Sequence, residues 1–242
     1  MSTPSSPLHV RWLGRVPYSE ALAVQQAVFE HGVDQHLLLV EHQHVFTYGQ
    51  NANLEQNLKC DPAQVGAELV AVHRGGDITY HGPGQLVGYP ILNLSAKHGE
   101  SGPADTSAYI HDVEQLVIDT LGELGLHNAS RKLGFPGVWL DAESTEARKI
   151  CAIGVRVARG VTDRRTMHGF ALNVTTDLSY MREHIVPCGI AEHAVTSLAE
   201  EGIAATMFDV VNIVSNTSLV WFTWGRIQSG LRTEMLSPSR SG

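Results

Sequence analysis

IVPCGI, residues 185–190, sets Cys188 between a proline that restricts the turn and a glycine that leaves the thiol uncrowded. A thiol attacks as its thiolate, a form that a nearby cation or base promotes. The other cysteines read differently: Cys151, within the apolar run KICAIGV, as a buried structural residue, and Cys60, in NLKCDP, as a loop thiol. Covalent catalysis at Cys188 needs a partner that carries protons. Lys149, near the start of RKICAIGVRVAR, is one candidate, and His81 and His168 are rivals for that duty. Each has a plain structural reading too. A lone cysteine is more often packing than catalysis, and a lysine at the start of a strand is more often a solvated charge.

A second constellation is RGGDITYHGPGQLVGYPILNL, residues 74–94, with five glycines in 21 positions. Glycine weakens strands, so this density needs a reason. One reading is two tight turns, Gly75-Gly76 and Gly82-Pro83-Gly84, around a buried hairpin. The other is a ligand channel walled by backbone, with Arg74 and His81 beside the turns. Ile78, Leu86, Val87 and Ile91 suit an alkyl chain, and each buried methylene is worth about 0.8 kcal/mol. The pattern is neither GxGxxG nor GxxxxGK[ST], so nothing marks a phosphate-binding loop. The thirteen histidines supply no metal-binding signature.

The elements that must position these residues are readable in outline. Ser19 to His31 has helical spacing, with Ser19 as the candidate N-cap. QHLLLV (35–40), AELVAVH (67–73), GYPILNL (88–94) and GVWLD (137–141) read as strands. Residues 49–66 show no period and read as a loop closing over something. The clearest helix carries the stripe Tyr109, Val113, Leu116, Val117, Thr120, Leu121 and Leu124, is capped within Asp105–Ser107 and ends at Gly125. RKICAIGVRVAR (148–159) is a long strand, and HGFALNVTT (168–176) is its hairpin partner through GVTDRRT. Ser197 and Glu200 fit a capping box, 203–215 a helix, and WFTW (221–224) needs an apolar partner. This predicts an α/β fold with a mixed β-sheet flanked by helices: a flexible leader over 1–8, one catalytic domain over 9–236 with a smaller C-terminal lobe, and a flexible tail over 237–242.

Composition excludes several classes. A net charge of -8 argues against holding nucleic acid through its phosphates. No apolar run is long enough for a membrane span, and MSTPSSPLHVRW is no signal peptide. Three distant cysteines do not make a disulfide framework. A cytoplasmic protein is expected.

Taken together, RGGDITYHGPGQLVGYPI, RKICAIGVRV, MHGFALNV and IVPCGI with VTSL resemble the lipoyl(octanoyl) transferases, the lipoate-protein ligase B family. The resemblance covers roughly residues 10–200. It implies the α/β fold of the biotin/lipoate protein ligase catalytic domain. It also implies transfer of an octanoyl group from acyl carrier protein to a lysine of lipoate-dependent subunits, namely lipoyl domains of 2-oxoacid dehydrogenases and the glycine cleavage H protein. Cys188 becomes the acyl-accepting nucleophile and Lys149 its partner. Arg74, Gly75, Gly76, Asp77, Ile78, Thr79, Tyr80, His81 and Gly82 become acyl-pocket residues. Ala152, Ile153, Gly154, His168, Gly169, Phe170 and Ala171 become the surrounding wall. Such chemistry requires no metal, ATP or redox cofactor, and the family is often monomeric. Here the hairpin carries DRRT in excess of the family pattern. That reads as an exposed tip, or as a contact for an acidic carrier through Asp163, Arg164 and Arg165.

Overall fold

Strands dominate the chain's central half because Val, Ile and Leu alternate there with small or polar residues. The computed structural model describes residues 7–50, 52–94, 105–161, 164–186 and 194–224. Seven strands form the spine of a mixed sheet. They are β1 (Leu8–Val16), β2 (Gln35–His42), β6 (Gln85–Ile91), β8 (Ala129–Lys132), β9 (Phe135–Leu140), β10 (Arg148–Arg159) and β11 (Arg164–Asn173), in the order β1-β2-β6-β11-β10-β9-β8. Only β1–β2 among these neighbours is parallel. Two short strands join the edges, β7 (Asn93–Leu94) on β11 and β12 (Ala194–Val195) on β10. A separate sheet has the order β4-β3-β5, from Glu68–Ala71, Val45–Tyr48 and Ile78–His81. The short helix α4 (Ser179–Glu183) packs on it, with Met181 in one core with Phe46, Ile78 and Tyr80.

The predicted stripe is the buried face of α3 (Thr106–Glu123), which packs with α5 (Met207–Leu219) over the central core. Tyr109, Val113, Leu116, Val117 and Leu121 are all buried, each worth about 1.5–3 kcal/mol relative to exposure. Asp105 caps α3 by accepting from the Ala108 amide at 2.9 Å. Phe222, from WFTW, is buried in this same core, and the Trp221 indole donates to Asp119 at 2.6 Å. The opposite face of the sheet carries α1 (Tyr18–His31) over Leu38, Val40, Val87 and Ala171. No described helix is long and apolar enough to cross a membrane.

Several expectations need correction. Helix α1 begins at Tyr18 after Pro17, so Ser19 lies inside it and caps nothing. The stretch read as a loop over 49–66 contains α2 (Leu54–Asn57) and a 3-10 turn, Pro62–Val65. The Ser197–Glu200 pair makes a turn and no helix, though the Glu200 amide does donate to Ser197 Oγ at 3.2 Å. β1 has no counterpart in the sequence reading. The glycine stretch is not a hairpin either: β5 lies in the small sheet and β6 in the large one, so Gly82-Pro83-Gly84 carries the chain between sheets. Gly84, at φ +81°, makes that switch possible.

The DRRT segment also departs from an exposed tip. Arg165 is fully buried, and its guanidinium donates to the carbonyls of Gly32 and Asp34, the latter at 2.6 Å. It closes the C-terminus of α1 and is unavailable to a carrier protein. Arg164 is exposed, and Asp163 lies outside the described residues.

Candidate active site

The two sheets meet over a narrow cavity of about 50 Å³. One wall is the β10–β11 hairpin, where Ala152 faces Ala171 and Gly154 faces Gly169 across the ladder. Side chains alternate along a strand, so these small residues share the face turned toward the cavity. Ile153 and Phe170 border it from within the sheet, while their side chains belong to the central core on the far face. Small residues keep this wall open: a Cβ on Gly154 would stand 3.2 Å from Arg74 Cδ and 3.4 Å from the Gly75 carbonyl.

The opposite wall is the turn Arg74-Gly75-Gly76 with Thr79 and His81 of β5. Gly76 is left-handed at φ +86°, and Arg74 ties the turn down by donating to Thr47 O at 2.7 Å and Thr47 Oγ1 at 3.1 Å. Strand alternation sorts the rest of the motif. Ile78 and Tyr80 point into a second core with Phe46, and Gly82 lies against the Tyr80 hydroxyl and His44. Asp77 accepts from Asn57 Nδ2 at 2.5 Å. These four residues, expected in the pocket, are not among its lining. Tyr18 and Tyr89 are lining residues that the sequence reading missed, while Val87, which it named as suited to an alkyl chain, lines the cavity. Val87 stands opposite Ala171 in the β6–β11 ladder. Nothing local marks Tyr18.

Burial decides the protonation of this wall. Desolvation pulls His81 down to about 3, and His42 and His168 each to about 4. His81 Nδ1 donates to Gln85 Oε1 at 2.7 Å, since a carbonyl oxygen only accepts. By the same logic His42 Nδ1 donates to Val16 O at 3.1 Å, and its Nε2 accepts from the Tyr89 hydroxyl at 2.7 Å. All three imidazoles are neutral near pH 7 and weakly basic. Tyr18 is pushed up to about 12 by burial, so it remains a hydroxyl. Cys151 is fully buried and its thiol is pushed well up by desolvation, as fits an inert structural residue.

Lys149 lies beyond Ala152 on the same strand. The β9–β10 register slips between Lys149 and Cys151, and both Ile150 and Cys151 enter the central core. The slip returns Lys149 to the face it shares with Ala152. Its stem runs across Gly137, where a Cβ would stand 3.3 Å from Lys149 Cε. Its Nζ donates to Pro136 O at 3.2 Å.

Cys188 lies outside the described residues, but both flanks of its segment are anchored. On the N-terminal side, Val186 N donates to Asn57 O at 2.8 Å and Lys59 N to His184 O at 2.8 Å. On the C-terminal side, Thr196 N donates to the backbone carbonyl of Lys149 at 2.9 Å, and Asn173 Nδ2 donates to Thr196 O at 2.9 Å. Arg148 forks onto Glu201, both bonds 2.6 Å, which fixes the following turn.

Comparison with known proteins agrees with this architecture. The lipoyl protein ligase A/B catalytic domain family matches residues 17–217. The chain is 45% identical over 207 residues to an octanoyltransferase of Solibacter usitatus, covering 83% of this chain and 86% of that one. It is 44% identical over 220 residues to an octanoyltransferase of Salinispora arenicola, covering 88% and 95%. Among solved structures, a bipartite lipoate protein ligase of Thermoplasma acidophilum superposes with a TM-score of 0.68 at 18% identity, covering 90% and 83%. That likeness speaks to the fold alone.

Proposed function

The chain belongs to the lipoyl protein ligase A/B catalytic domain family, and from that premise we propose that it is an octanoyltransferase working through a thioester on Cys188. Octanoyl transfer follows from extended identity to octanoyltransferases. The covalent route, the residues and the partners are our reading. The observation that carries it is the slot between Arg74–Gly76 and the Ala152/Ala171 and Gly154/Gly169 pairs, with Lys149 on the same face.

The acyl chain enters that slot, whose small walls admit an alkyl chain in single file. Burying its methylenes contributes roughly 5 kcal/mol. The Cys188 thiolate attacks the thioester carbonyl of octanoyl-acyl carrier protein. The tetrahedral adduct collapses, the carrier's sulfur leaves, and a proton from Lys149 converts it to a thiol. The neutral amine of an acceptor lysine then attacks the Cys188 thioester. An amide forms, the Cys188 thiolate departs, and Lys149 takes up the proton released by the amine. Thioester exchange is nearly isoenergetic, so orientation and proton transfer set the rate. The acceptors are lipoyl domains of 2-oxoacid dehydrogenases and the glycine cleavage H protein, and the enzyme acts as a monomer in the cytoplasm.

Intact mass measurement with peptide mapping tests the reading. Octanoyl-acyl carrier protein should add one octanoyl group at Cys188, and an acceptor domain should remove it and gain the same mass. A folded enzyme that gains no mass on Cys188 from a competent donor would rule out the covalent route.

A further inference from the structure

Asn57 links Asp77, the residue after the Arg74–Gly76 turn, to Val186. It is a buried residue at the end of α2, outside every motif that drew attention in the sequence. Its backbone carbonyl accepts from Val186 N at 2.8 Å, and Leu58 beside it bridges Ile185. Val186 lies two residues before Cys188 in the sequence. The Asn57 side-chain Nδ2 donates to Asp77 Oδ2 at 2.5 Å. The second oxygen of Asp77 accepts from the Ile78 amide at 2.7 Å, so the same carboxylate fixes the exit of the Arg74–Gly76 turn.

We propose that Asn57 and Asp77 are a positioning pair for octanoyl transfer, coupling the acyl-pocket turn to Ile185 and Val186. The inference rests on the octanoyltransferase reading given above. Its physical basis is the chain of short bonds from Ile78 N to the Asp77 carboxylate, from that carboxylate to the Asn57 side-chain amide, and from the Asn57 backbone carbonyl to Val186 N. The Asn57–Asp77 bond is charge-assisted and half-sheltered from water, which makes it stiffer than a surface contact. Neither side chain lines the cavity, so neither is a catalytic residue. Their effect passes through Gly76 on one side and Val186 on the other. A displacement of about 1 Å between reacting groups costs on the order of 100-fold in rate.

A carboxylate–amide exchange tests this. Asn57→Asp sets two carboxylates against each other and breaks the link. Adding Asp77→Asn restores it with the roles reversed. The amide introduced at position 77 would donate through its nitrogen to the carboxylate introduced at position 57, and its oxygen would still accept from Ile78 N. With octanoyl-acyl carrier protein and a lipoyl-domain acceptor, Asn57→Asp should lower kcat about 10- to 100-fold, with the donor KM within about threefold of wild type. The double variant should recover to within about threefold of wild-type kcat. Thermal midpoints are measured alongside. A wild-type kcat in Asn57→Asp overturns the positioning role. So does a double variant no faster than the single one, or a loss of kcat that tracks the unfolded fraction. A wild-type enzyme that transfers no octanoyl group overturns the octanoyltransferase reading, and the positioning role falls with it.

Discussion

Lys149 and Trp139 are cross-strand partners on β10 and β9, and the lysine Nζ lies 4.7 Å from the centroid of the tryptophan ring. The ring is itself fixed, fully buried and donating through Nε1 to Phe135 O at 3.0 Å. A lysine with four rotatable bonds is thereby held at one end of the pocket wall by an aromatic face and one carbonyl. Lys149→Met keeps the aliphatic stem and removes the proton carrier. Single-turnover acylation of Cys188 should slow by about 10²–10⁴-fold, with little change in thermal midpoint. An acylation rate within about threefold of wild type would exclude Lys149 from proton transfer.

Chain-length preference should respond to the smallest wall residue. A side chain on Gly154 projects toward Arg74 and the Gly75 carbonyl. Gly154→Val should displace two or three methylenes of the acyl chain, weakening octanoyl transfer by roughly 15- to 60-fold. Shorter acyl donors should lose less. Competition between hexanoyl and octanoyl donors reads this directly, and an unchanged ratio would show that the chain lies elsewhere.

Acid should destabilise the protein well above the range where carboxylates titrate. His81, His42 and His168 have native values near 3, 4 and 4, below the ordinary 6.5. The unfolded chain therefore binds protons that the native one does not. The stability held by the neutral imidazoles is complete above about pH 7 and falls as pH drops through 6.5 toward 4. At pH 5 each histidine should cost about 2 kcal/mol. Denaturant midpoints between pH 8 and 4.5 measure the decline, and a flat profile down to pH 5 would mean these rings take up protons without cost.

Arg165 offers a stability prediction independent of the chemistry. Arg165→Met leaves the half-buried Gly32 and Asp34 carbonyls without their guanidinium donor. The expected loss is about 2–4 kcal/mol, or roughly 5–15 °C in thermal midpoint. Calorimetry would detect it, and a change below about 1 kcal/mol would place those carbonyls in contact with water.

What was legible in the sequence followed from period and residue size. α3 was legible because its apolar stripe runs unbroken along the helix, and β10 because RKICAIGVRVAR is long and β-branched. The pocket wall was legible as a run of glycines and alanines in paired strands. β1 was not, because it is an edge strand whose residues are all half-buried or exposed, which blurs the alternation. Asp77, Ile78, Tyr80 and Gly82 were assigned to the pocket because a motif is contiguous in sequence. A strand alternates, so only Thr79 and His81 of β5 face the cavity. Tyr18 comes from an element distant in the chain, Tyr89 from the strand that ends the glycine stretch, and Asn57 from a stretch with no period at all. Their roles depend on tertiary packing that local pattern does not encode.

The Arg165 clamp also sets a schedule for biogenesis. The carbonyl it covers at Gly32 is separated from it by 133 residues. During synthesis at about 5–20 residues per second, the C-terminal turn of α1 waits roughly 7 to 27 seconds for its donor. Over that interval the Gly32 and Asp34 carbonyls lack the guanidinium that covers them in the folded protein. The nascent chain thus carries a helix that its own later hairpin must finish, and a ribosome stalled before residue 165 would present that helix end to chaperones.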